Sequence, residues 1–283
     1  MNYAQWYAQY LQLYKRKLAP KTRESYDQVT RLYILPAVAD LQLSDITPEH
    51  VQSAINAAAD RGGRQAQIVF SVFHAVMRRA YRSRLILWNP VDAIDKPEHI
   101  QEQGKALSAQ DLSAAEGPIQ EDLALSLALY AGLRRGEICG LQWGDVDLPL
   151  GVIHVRRQRC RAGGELITKT PKSRSGVRDI PIDPQLLPQL KAAFRLRPSA
   201  WVVDVMPEQI TRRWNNIQRN VPMSEHYRLH DLRHTYGSRL VLDGVNLRVV
   251  QYLMGHSKID ITMRVYSHCR ASDAQKELRR VYG

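Results

Sequence analysis

The sequence contains few cysteines, few phenylalanines and no long apolar segment. Its 283 residues include only 3 Cys and 3 Phe. Cys139, Cys160 and Cys269 are odd in number and scattered, which argues against a disulfide framework and against a Cys-x-x-Cys metal site. No stretch approaches the roughly 18 consecutive apolar residues of a transmembrane helix, and the first residues lack the pattern of a secretory signal. These absences predict a protein of a reducing cytosol that has no membrane partner.

Negative charge is also scarce. The chain has 28 Asp and Glu residues against 40 Lys and Arg residues, which gives a net charge of +12 and a pI of about 9.8. The first 100 residues hold 13 Lys and Arg against 9 Asp and Glu, and the rest of the chain is basic as well. Such a protein attracts phosphate polymers and repels cationic partners. Because both parts are basic, the positive charge is not confined to one tail.

The length and the 44% hydrophobic content predict a folded protein with two domains. Residues 1–97 have helical periodicity throughout, for example at Gln67–Arg82, and Thr47 before Pro48 is typical of a helix start. Proline and glycine without apolar periodicity then indicate a linker. We therefore expect a helical domain at 1–97, a linker at 98–105 and a second domain at 106–283.

The second domain is predicted to be helical around a small sheet. Ser108 is the expected N-cap of its first helix, and residues 119–131 are apolar nearly all round, as in a buried helix. Alternating β-branched residues predict about three antiparallel strands, at 151–158, 166–170 and 177–182. Helical patterns return at 184–194, 208–220, 229–242 and 247–254. The predicted fold class is mainly α with a small antiparallel β-sheet.

Histidine and arginine residues precede a tyrosine near the carboxyl end. His230 and Arg233 are three residues apart, so on a helix they share one face, and Tyr266 follows them. A tyrosine that attacks a phosphodiester needs positive charge on the phosphoryl oxygens, for which arginine forks are well suited. A second arginine, Arg134, follows a turn at Gly132 that can direct its side chain into a cleft. These residues predict a phosphate-handling site with its own nucleophile.

Strand cleavage also requires proton transfer. The leaving 5′ oxygen needs a general acid, and Lys172 in a predicted hairpin tip can supply it, with Lys169 as the alternative because the hairpin register is open. An unperturbed tyrosine has a pKa near 10, so the proton of Tyr266 must be removed or its phenolate stabilised, a task that His230 can share with the arginines. This scheme needs no metal. His230 and His234 have zinc-site spacing, but a cation lies between them where a metalloprotease needs glutamate.

Five motifs, in their order and spacing, resemble those of the tyrosine recombinase (phage integrase) family. They are Gly-Leu-Arg-x-x-Glu at 132–137, Pro-Lys-Ser-Arg-Ser-Gly-Val-Arg-Asp-Ile-Pro-Ile at 171–182, His-x-x-Arg at 230–233, Gly-His at 255–256, and Tyr266. The helical first hundred residues are similar to the core-binding domain of that family. The resemblance implies a helical core-binding domain followed by an α+β catalytic domain. No arm-binding domain is expected in these residues.

The resemblance also implies a role for each matching residue. Arg134 and Arg233 would clamp the scissile phosphate, Lys172 would protonate the leaving oxygen, and Tyr266 would form a 3′-phosphotyrosyl link to DNA. His230 would manage the proton of the nucleophile. The free 5′ hydroxyl of another strand could then reverse the attack, without ATP or any other cofactor.

Two further residues have roles implied by the same resemblance. His256 would donate a hydrogen bond to a phosphoryl oxygen, and Glu137 would support the histidine without touching DNA. Basic residues at the start of an early helix are candidates for DNA backbone contacts, with a solvated surface as the alternative; they are Lys15, Arg16, Lys17, Lys21 and Arg23.

The expected activity is site-specific DNA recombination in the integration or excision of a phage or mobile element. The expected partners are double-stranded DNA recombination sites and a homo-tetramer assembled on them, in a bacterial cytoplasm at the nucleoid. Whether the free protein is a monomer, and whether accessory DNA-bending factors take part, stays open. The alternatives are a type IB topoisomerase and a non-catalytic DNA-binding regulator, which would be expected to lack at least one catalytic motif.

Overall fold

The structure is a computed structural model that describes residues 1–99, 104–162, 164–171 and 174–256. The chain divides into two compact units, Met1–Glu102 and Gln103–Gly283, called unit 1 and unit 2 below. Among the described residues, no helix combines the length and the apolarity that crossing a bilayer requires.

Unit 1 is helical in its described part. Its α-helices are α1 (Tyr3–Tyr14), α2 (Pro20–Val29), α3 (Leu35–Val38), α4 (Pro48–Ala59) and α5 (Gly63–Arg82), and a π-helical turn at Thr30–Ile34 joins α2 to α3. Thr47 is the N-cap residue of α4 and Pro48 its first helical residue, which confirms the predicted helix start. The helix predicted from residue 67 begins four residues earlier, at Gly63.

Aromatic residues form much of the unit 1 core. The rings of Tyr3 and Phe73 meet edge to face at 5.2 Å and are both fully buried. The indole Nε1 of Trp6 donates to the carbonyl of Val76 at 3.1 Å. Helix α1 is therefore held on α5 by ring packing and by a buried hydrogen bond.

The other helices and the strands that the structure describes lie in unit 2. The helices are α6 (Ala109–Gln120), α7 (Leu123–Tyr130), α8 (Arg135–Gly140), α9 (Leu187–Leu196), α10 (Pro207–Asn220), α11 (Leu229–Leu242) and α12 (Leu247–Met254). The last two begin and end at the predicted residues. Ser108 caps α6, as predicted, by accepting from the backbone N–H of Asp111 at 3.1 Å.

The predicted helix over 119–131 is wrong at its start. The Asp122 carboxylate accepts from the backbone N–H groups of Ala124 and Leu125, at 2.9 and 3.3 Å, and so begins a separate helix at Leu123. The apolar character is correct, because residues 124–130 are all buried. Helix α7 lies at the centre of the unit 2 core and packs against α11.

The strands form two small antiparallel sheets. They are β1 (Val146–Asp147), β2 (Val152–Val155), β3 (Gln158–Ala162), β4 (Glu165–Lys169) and β5 (Arg178–Pro181). One sheet has the order β1-β2-β5, and β3 pairs only with β4. The single strand predicted over 151–158 is therefore wrong, because Ile153 pairs with Ile180 in one sheet while Gln158 pairs with Lys169 in the other.

Candidate active site

Arg134 lies at a sharp turn after the buried helix α7. Gly132 has φ +59°, in the left-handed region, and a Cβ at this position would lie 2.3 Å from Cδ1 of Tyr236. Only glycine fits this turn, both for its backbone angle and for the close approach of the ring. The chain then places Arg134 as the N-cap residue of α8, with its side chain about 35% exposed.

Arg134 and Arg233 meet at the carboxyl end of α12. Arg134 Nη2 donates to the carbonyls of Gly255 and Met254, at 2.9 and 3.3 Å. Arg233, which is 1% exposed, donates from Nη2 to the same Met254 carbonyl and from Nη1 to the carbonyl of Gly132. Gly255 ends the helix in the left-handed conformation, with φ +58°. Two arginines that are distant in sequence thus share one acceptor.

A third arginine, which the sequence analysis did not identify, completes the cluster. The Arg178 side chain is fully buried on β5, and its Nε donates to the carbonyl of Leu253 at 2.6 Å. Its Nη1 and Nη2 donate to Oε1 and Oε2 of Glu137, at 3.1 and 2.9 Å. The period-two alternation of a strand places Arg178 on the same buried face as Ile180. That phase was visible in the sequence, and a buried arginine requires a partner.

Glu137, which the resemblance expects to support the histidine, accepts hydrogen bonds from Arg134 and Arg178. Its Oε1 accepts from Arg134 Nη1 at 2.7 Å, and its Oε2 accepts from the Arg134 backbone N–H at 2.9 Å. Burial raises the pKa of the Glu137 carboxyl, but the hydrogen bond and charge of Arg178, with Arg134 and Arg233, outweigh burial and bring the pKa to about 2. The carboxylate is therefore ionised at neutral pH and orients two guanidinium groups.

Three guanidinium groups and one carboxylate make this cluster cationic. Arg134, Arg178 and Arg233 supply the positive charge, since guanidinium groups stay protonated in proteins, and Glu137 neutralises only part of it. Arginine forks match the geometry of phosphate and carboxylate oxygens. The cluster is therefore suited to bind an oxyanion at the solvent-accessible side of Arg134.

His230 lies in the first turn of α11, beside this cluster. Its ring meets that of His234 edge to face, with the ring centres 4.9 Å apart. Gly104 packs closely against His234, since a Cβ on Gly104 would lie 2.0 Å from the His234 Nε2. Desolvation lowers the pKa of His230, and repulsion from His234, Arg233 and Arg134 lowers it further. We therefore assign a neutral imidazole at neutral pH.

His256 follows the left-handed Gly255 and is half-buried. Its backbone N–H donates to the carbonyl of Gln251 at 3.1 Å, and its own carbonyl accepts from Gln251 Nε2 at 3.1 Å. Desolvation, followed by repulsion from Arg233 and Arg134, lowers the pKa of His256 to about 3. This imidazole is also neutral at neutral pH.

The two remaining candidates for the chemistry, Lys172 and Tyr266, lie outside the described residues. Lys169, the alternative acid, is the last residue of β4 and pairs with Gln158.

The five basic candidates of unit 1 follow α1 and open α2. Lys21 pairs with Glu24 at 3.2 Å and Arg23 with Asp27 at 3.8 Å, both on the surface of α2. Arg16 and Lys17 are exposed, and Lys15 is half-buried.

A basic recess that the sequence analysis missed adjoins Lys15. It has a volume of about 270 Å³ and is lined by Tyr10, Tyr14, Lys15, Ala75, Arg78, Arg79 and Arg82. The Arg79 guanidinium lies 4.1 Å from the centre of the Tyr14 ring. Arginines combined with aromatic rings can contact phosphates and bases. The three arginines at the end of α5 were the sequence signal for this surface.

Comparison with known proteins identifies the family. Residues 101–273 match the model described as "Phage integrase family", and residues 2–58 match "Phage integrase, N-terminal SAM-like domain". The prophage phiRv2 integrase of Mycobacterium tuberculosis is 26% identical over 274 residues, which cover 90% of this chain and 72% of that protein. A tyrosine recombinase XerC of Xylella fastidiosa is 29% identical over 195 residues, which cover 64% of this chain and 61% of that protein.

Solved structures have the same fold. An integrase of the transposon Tn1549, in complex with a circular intermediate DNA, superimposes with a TM-score of 0.80 at 21% identity, covering 99% of each chain. A lambda integrase dimer bound to a core site superimposes with a TM-score of 0.72 at 20% identity, covering 94% of this chain and 77% of the other. With the match of the family model over most of unit 2, the chain belongs to the phage integrase family and is a tyrosine site-specific recombinase.

Proposed function

We propose that this recombinase cleaves and rejoins DNA through a 3′-phosphotyrosyl intermediate formed by Tyr266, in the integration and excision of a mobile element. The observation that carries the proposal is the convergence of Arg134 and Arg233 on the Met254 carbonyl. This convergence supports a site in which two guanidinium groups hold one phosphate.

Arg134 and Arg233 clamp the scissile phosphate. The half-exposed Arg134 offers its fork to an incoming phosphate, whereas Arg233 acts from the interior. In the described part of the chain, the buried Nε of Arg233 has no hydrogen-bond acceptor. A buried donor without an acceptor costs roughly 1–3 kcal/mol, and a phosphoryl oxygen would remove that cost. The Arg233 Nε donor therefore supports a site that gains binding energy from a bound phosphate. Negative charge develops on the oxygens of that phosphate in the transition state.

The cleavage step exchanges one phosphate ester for another. The phenolic oxygen of Tyr266 attacks phosphorus, and the bond from phosphorus to the 5′ oxygen breaks. Lys172 donates a proton to the departing 5′ oxygen, and His230 accepts the proton of the phenol. The 5′ hydroxyl of a second strand then attacks the phosphotyrosine in the reverse sense, so the number of ester bonds is conserved.

The two histidines suit their proposed roles because both are neutral. The neutral ring of His230 has one unprotonated nitrogen, which can accept the phenolic proton even though burial and the neighbouring cations lower its pKa. The neutral ring of His256 retains one N–H, which donates to a phosphoryl oxygen.

Unit 1 supplies DNA affinity in this proposal. Its recess with Lys15, Arg78 and Arg82 contacts backbone phosphates, together with the basic residues around the start of α2. We further propose that the protein acts as a tetramer on two DNA sites. The lambda integrase, solved as a tetramer bound to a Holliday junction with a TM-score of 0.72 to this chain, supports this assembly.

A nicked DNA carrying the recombination site tests the nucleophile. After cleavage the short fragment beyond the nick diffuses away, so the covalent adduct accumulates and migrates with the protein in a denaturing gel. We expect an adduct with the wild type and with Tyr252→Phe, and none with Tyr266→Phe. Tyr252 in α12 is the matched control, because it is also a tyrosine of unit 2 but its hydroxyl already accepts a hydrogen bond from the Asp179 backbone N–H.

An adduct with Tyr266→Phe would refute the assigned nucleophile. Adduct formation that is lost in a chelator and restored by zinc would refute the metal-free scheme. Two intact sites in one plasmid separate the rivals, since a recombinase produces deletion or inversion products whereas a type IB topoisomerase yields only relaxed circles.

A further inference from the structure

We propose that Arg178 is a positioning residue of the cleavage reaction, which acts through Glu137 and the end of α12 to orient Arg134. This inference rests on the proposed function of the Arg134 and Arg233 clamp. Arg178 itself does not reach solvent, because its side chain is fully buried.

Burial alone makes the position of Arg178 unusual. A charged guanidinium is retained in an interior only when its donors are paired, and an apolar residue of similar volume is often no less stable there. The donors of Arg178 serve four acceptor atoms: both oxygens of Glu137 and the carbonyls of Leu253 and Gly176. Three of these acceptor atoms, both oxygens of Glu137 and the carbonyl of Leu253, belong to elements that also hold Arg134.

The first connection runs through the Glu137 carboxylate. Oε1 accepts from Arg178 at 3.1 Å and from Arg134 Nη1 at 2.7 Å. Oε2 accepts from Arg178 at 2.9 Å and from the Arg134 backbone N–H at 2.9 Å. The two-pronged contact with Arg178 fixes the plane of the carboxylate. That plane in turn fixes the backbone and the guanidinium of Arg134.

The second connection runs through the carboxyl end of α12. Three successive carbonyls accept from three different arginines: Leu253 from Arg178, Met254 from Arg233 and Arg134, and Gly255 from Arg134. Cations are stabilised at this end of a helix by its dipole. Since Arg178 ties α12 to β5, it also sets the location of the acceptors that hold the clamp.

Charge provides a third argument. With Arg178 in place, the single negative charge of Glu137 is shared between two cations. Without Arg178, the carboxylate would neutralise Arg134 alone and hold it away from a phosphate. We therefore expect the loss of Arg178 to slow cleavage by bound enzyme, with little change in DNA affinity.

The test compares Arg178→Met and Arg178→Lys with Arg157→Met. Arg157 is a matched control because it also pairs with a buried carboxylate, Asp145, in unit 2. Single-turnover adduct formation is measured on nicked DNA at saturating protein, with DNA affinity and thermal unfolding measured in parallel. We expect Arg178→Met to cleave about 100-fold more slowly, as for a misplaced catalytic group, and Arg178→Lys to recover part of the rate. Arg157→Met should stay within about threefold of the wild type.

A double-mutant cycle distinguishes positioning from general stability. If Arg178 acts through Arg134, then adding Arg178→Met to Arg134→Met should slow cleavage by less than about fivefold. Full multiplication of the two losses would overturn the inference. A wild-type rate of cleavage by Arg178→Met would also overturn the inference. If the Met variant does not fold, a wild-type rate of cleavage by Arg178→Lys would overturn it. A wild type that forms no adduct refutes the proposed function and this inference together, whereas a normal adduct with unaffected Arg178 variants refutes only the inference.

Discussion

The two units differ in what they bury. In the described part of unit 1, the buried polar side chains are those of Thr30 and Asn89, and none of them is charged. The residues of unit 2 that the structure describes include six buried charged ones: Asp111, Glu137, Asp145, Arg178, Asp231 and Arg233. Ionised groups are costly to bury unless they are paired and hydrogen-bonded. An apolar core suffices for the surface binding of DNA that we propose for unit 1, whereas the phosphate holding that we propose for unit 2 requires charges fixed in the interior.

Not every buried charge in unit 2 belongs to the active site. Asp111 accepts from Ser108, Ser224 and Tyr227 and so ties the start of α6 to the segment before α11. Its partners are neutral, and its bonds serve the fold. Glu137, in contrast, is bonded to arginines that also meet α12, so the distinction lies in the partners of the carboxylate.

The largest effect is expected at Lys172, because the contrast between the two units assigns the chemistry of strand cleavage to unit 2 alone. We expect Lys172→Ala to slow cleavage by roughly 10²–10⁴-fold, the contribution of a general acid, without changing DNA affinity. A substrate with sulfur at the bridging 5′ position should restore most of the rate, because a thiolate leaves without a proton. The measurement is adduct formation on both substrates, with Lys169→Ala as the control. Sulfur rescue of Lys169→Ala in place of Lys172→Ala would transfer the role to Lys169.

An intermediate effect is expected when a buried charge is removed from unit 2. Glu137→Gln leaves Arg178 buried without an anionic partner, which should cost roughly 3–5 kcal/mol of unfolding free energy. Asp27→Asn in unit 1 is the control. Asp27 accepts from the Tyr7 hydroxyl at 2.9 Å but is about half exposed, so the loss should stay below about 1 kcal/mol. Urea denaturation measures both, and equal losses would contradict the comparison.

The same variant has a defined pH signature. The pKa of Glu137 is lowered from 4.5 to about 2, so its stabilising contribution is complete above pH 4.5 and is lost as the pH falls toward 2. The wild type should lose this contribution within that window, and Glu137→Gln should not. A Gln variant with the unchanged acid dependence of the wild type would show that the carboxylate is not paired as described.

The smallest effect is expected on the surface of unit 1. Arg82→Ala should weaken DNA binding by up to roughly tenfold for all sequences and reduce the slope of log affinity against log salt by about 1. The cleavage rate at saturating protein should not change. Arg64→Ala at the opposite end of α5 is the matched control, and affinity is measured by titration at several salt concentrations. A lower saturated rate with an unchanged salt slope would place chemistry in unit 1.

Much of the architecture could be predicted from local pattern. Local pattern located α12 to the residue, because an apolar stripe at helical spacing and a left-handed glycine after Met254 are local signals. The bounds of α11 were also predicted to the residue. The predicted helix over 119–131 is wrong at its start because Gln120, Glu121 and Asp122 interrupt the apolar run, and the Asp122 side chain caps a new helix there. The predicted strand at 151–158 is divided between two sheets for another reason. Alternation does not say which partner each half pairs with.

The sequence by itself determined the helical framework, the positive charge, and the order of the motifs that contain Arg134, His230, Arg233, His256 and Tyr266. Periodicity, composition and spacing are properties of the linear order of residues, so they can be recognised in the sequence without the tertiary structure. Only the tertiary structure decided that Glu137 pairs with Arg178 and that three arginines meet the end of α12. These contacts join residues separated by 21 to 121 positions. The physical reason is that a buried charge takes whichever partner the packed core brings within hydrogen-bond distance, and that choice is made by the fold as a whole.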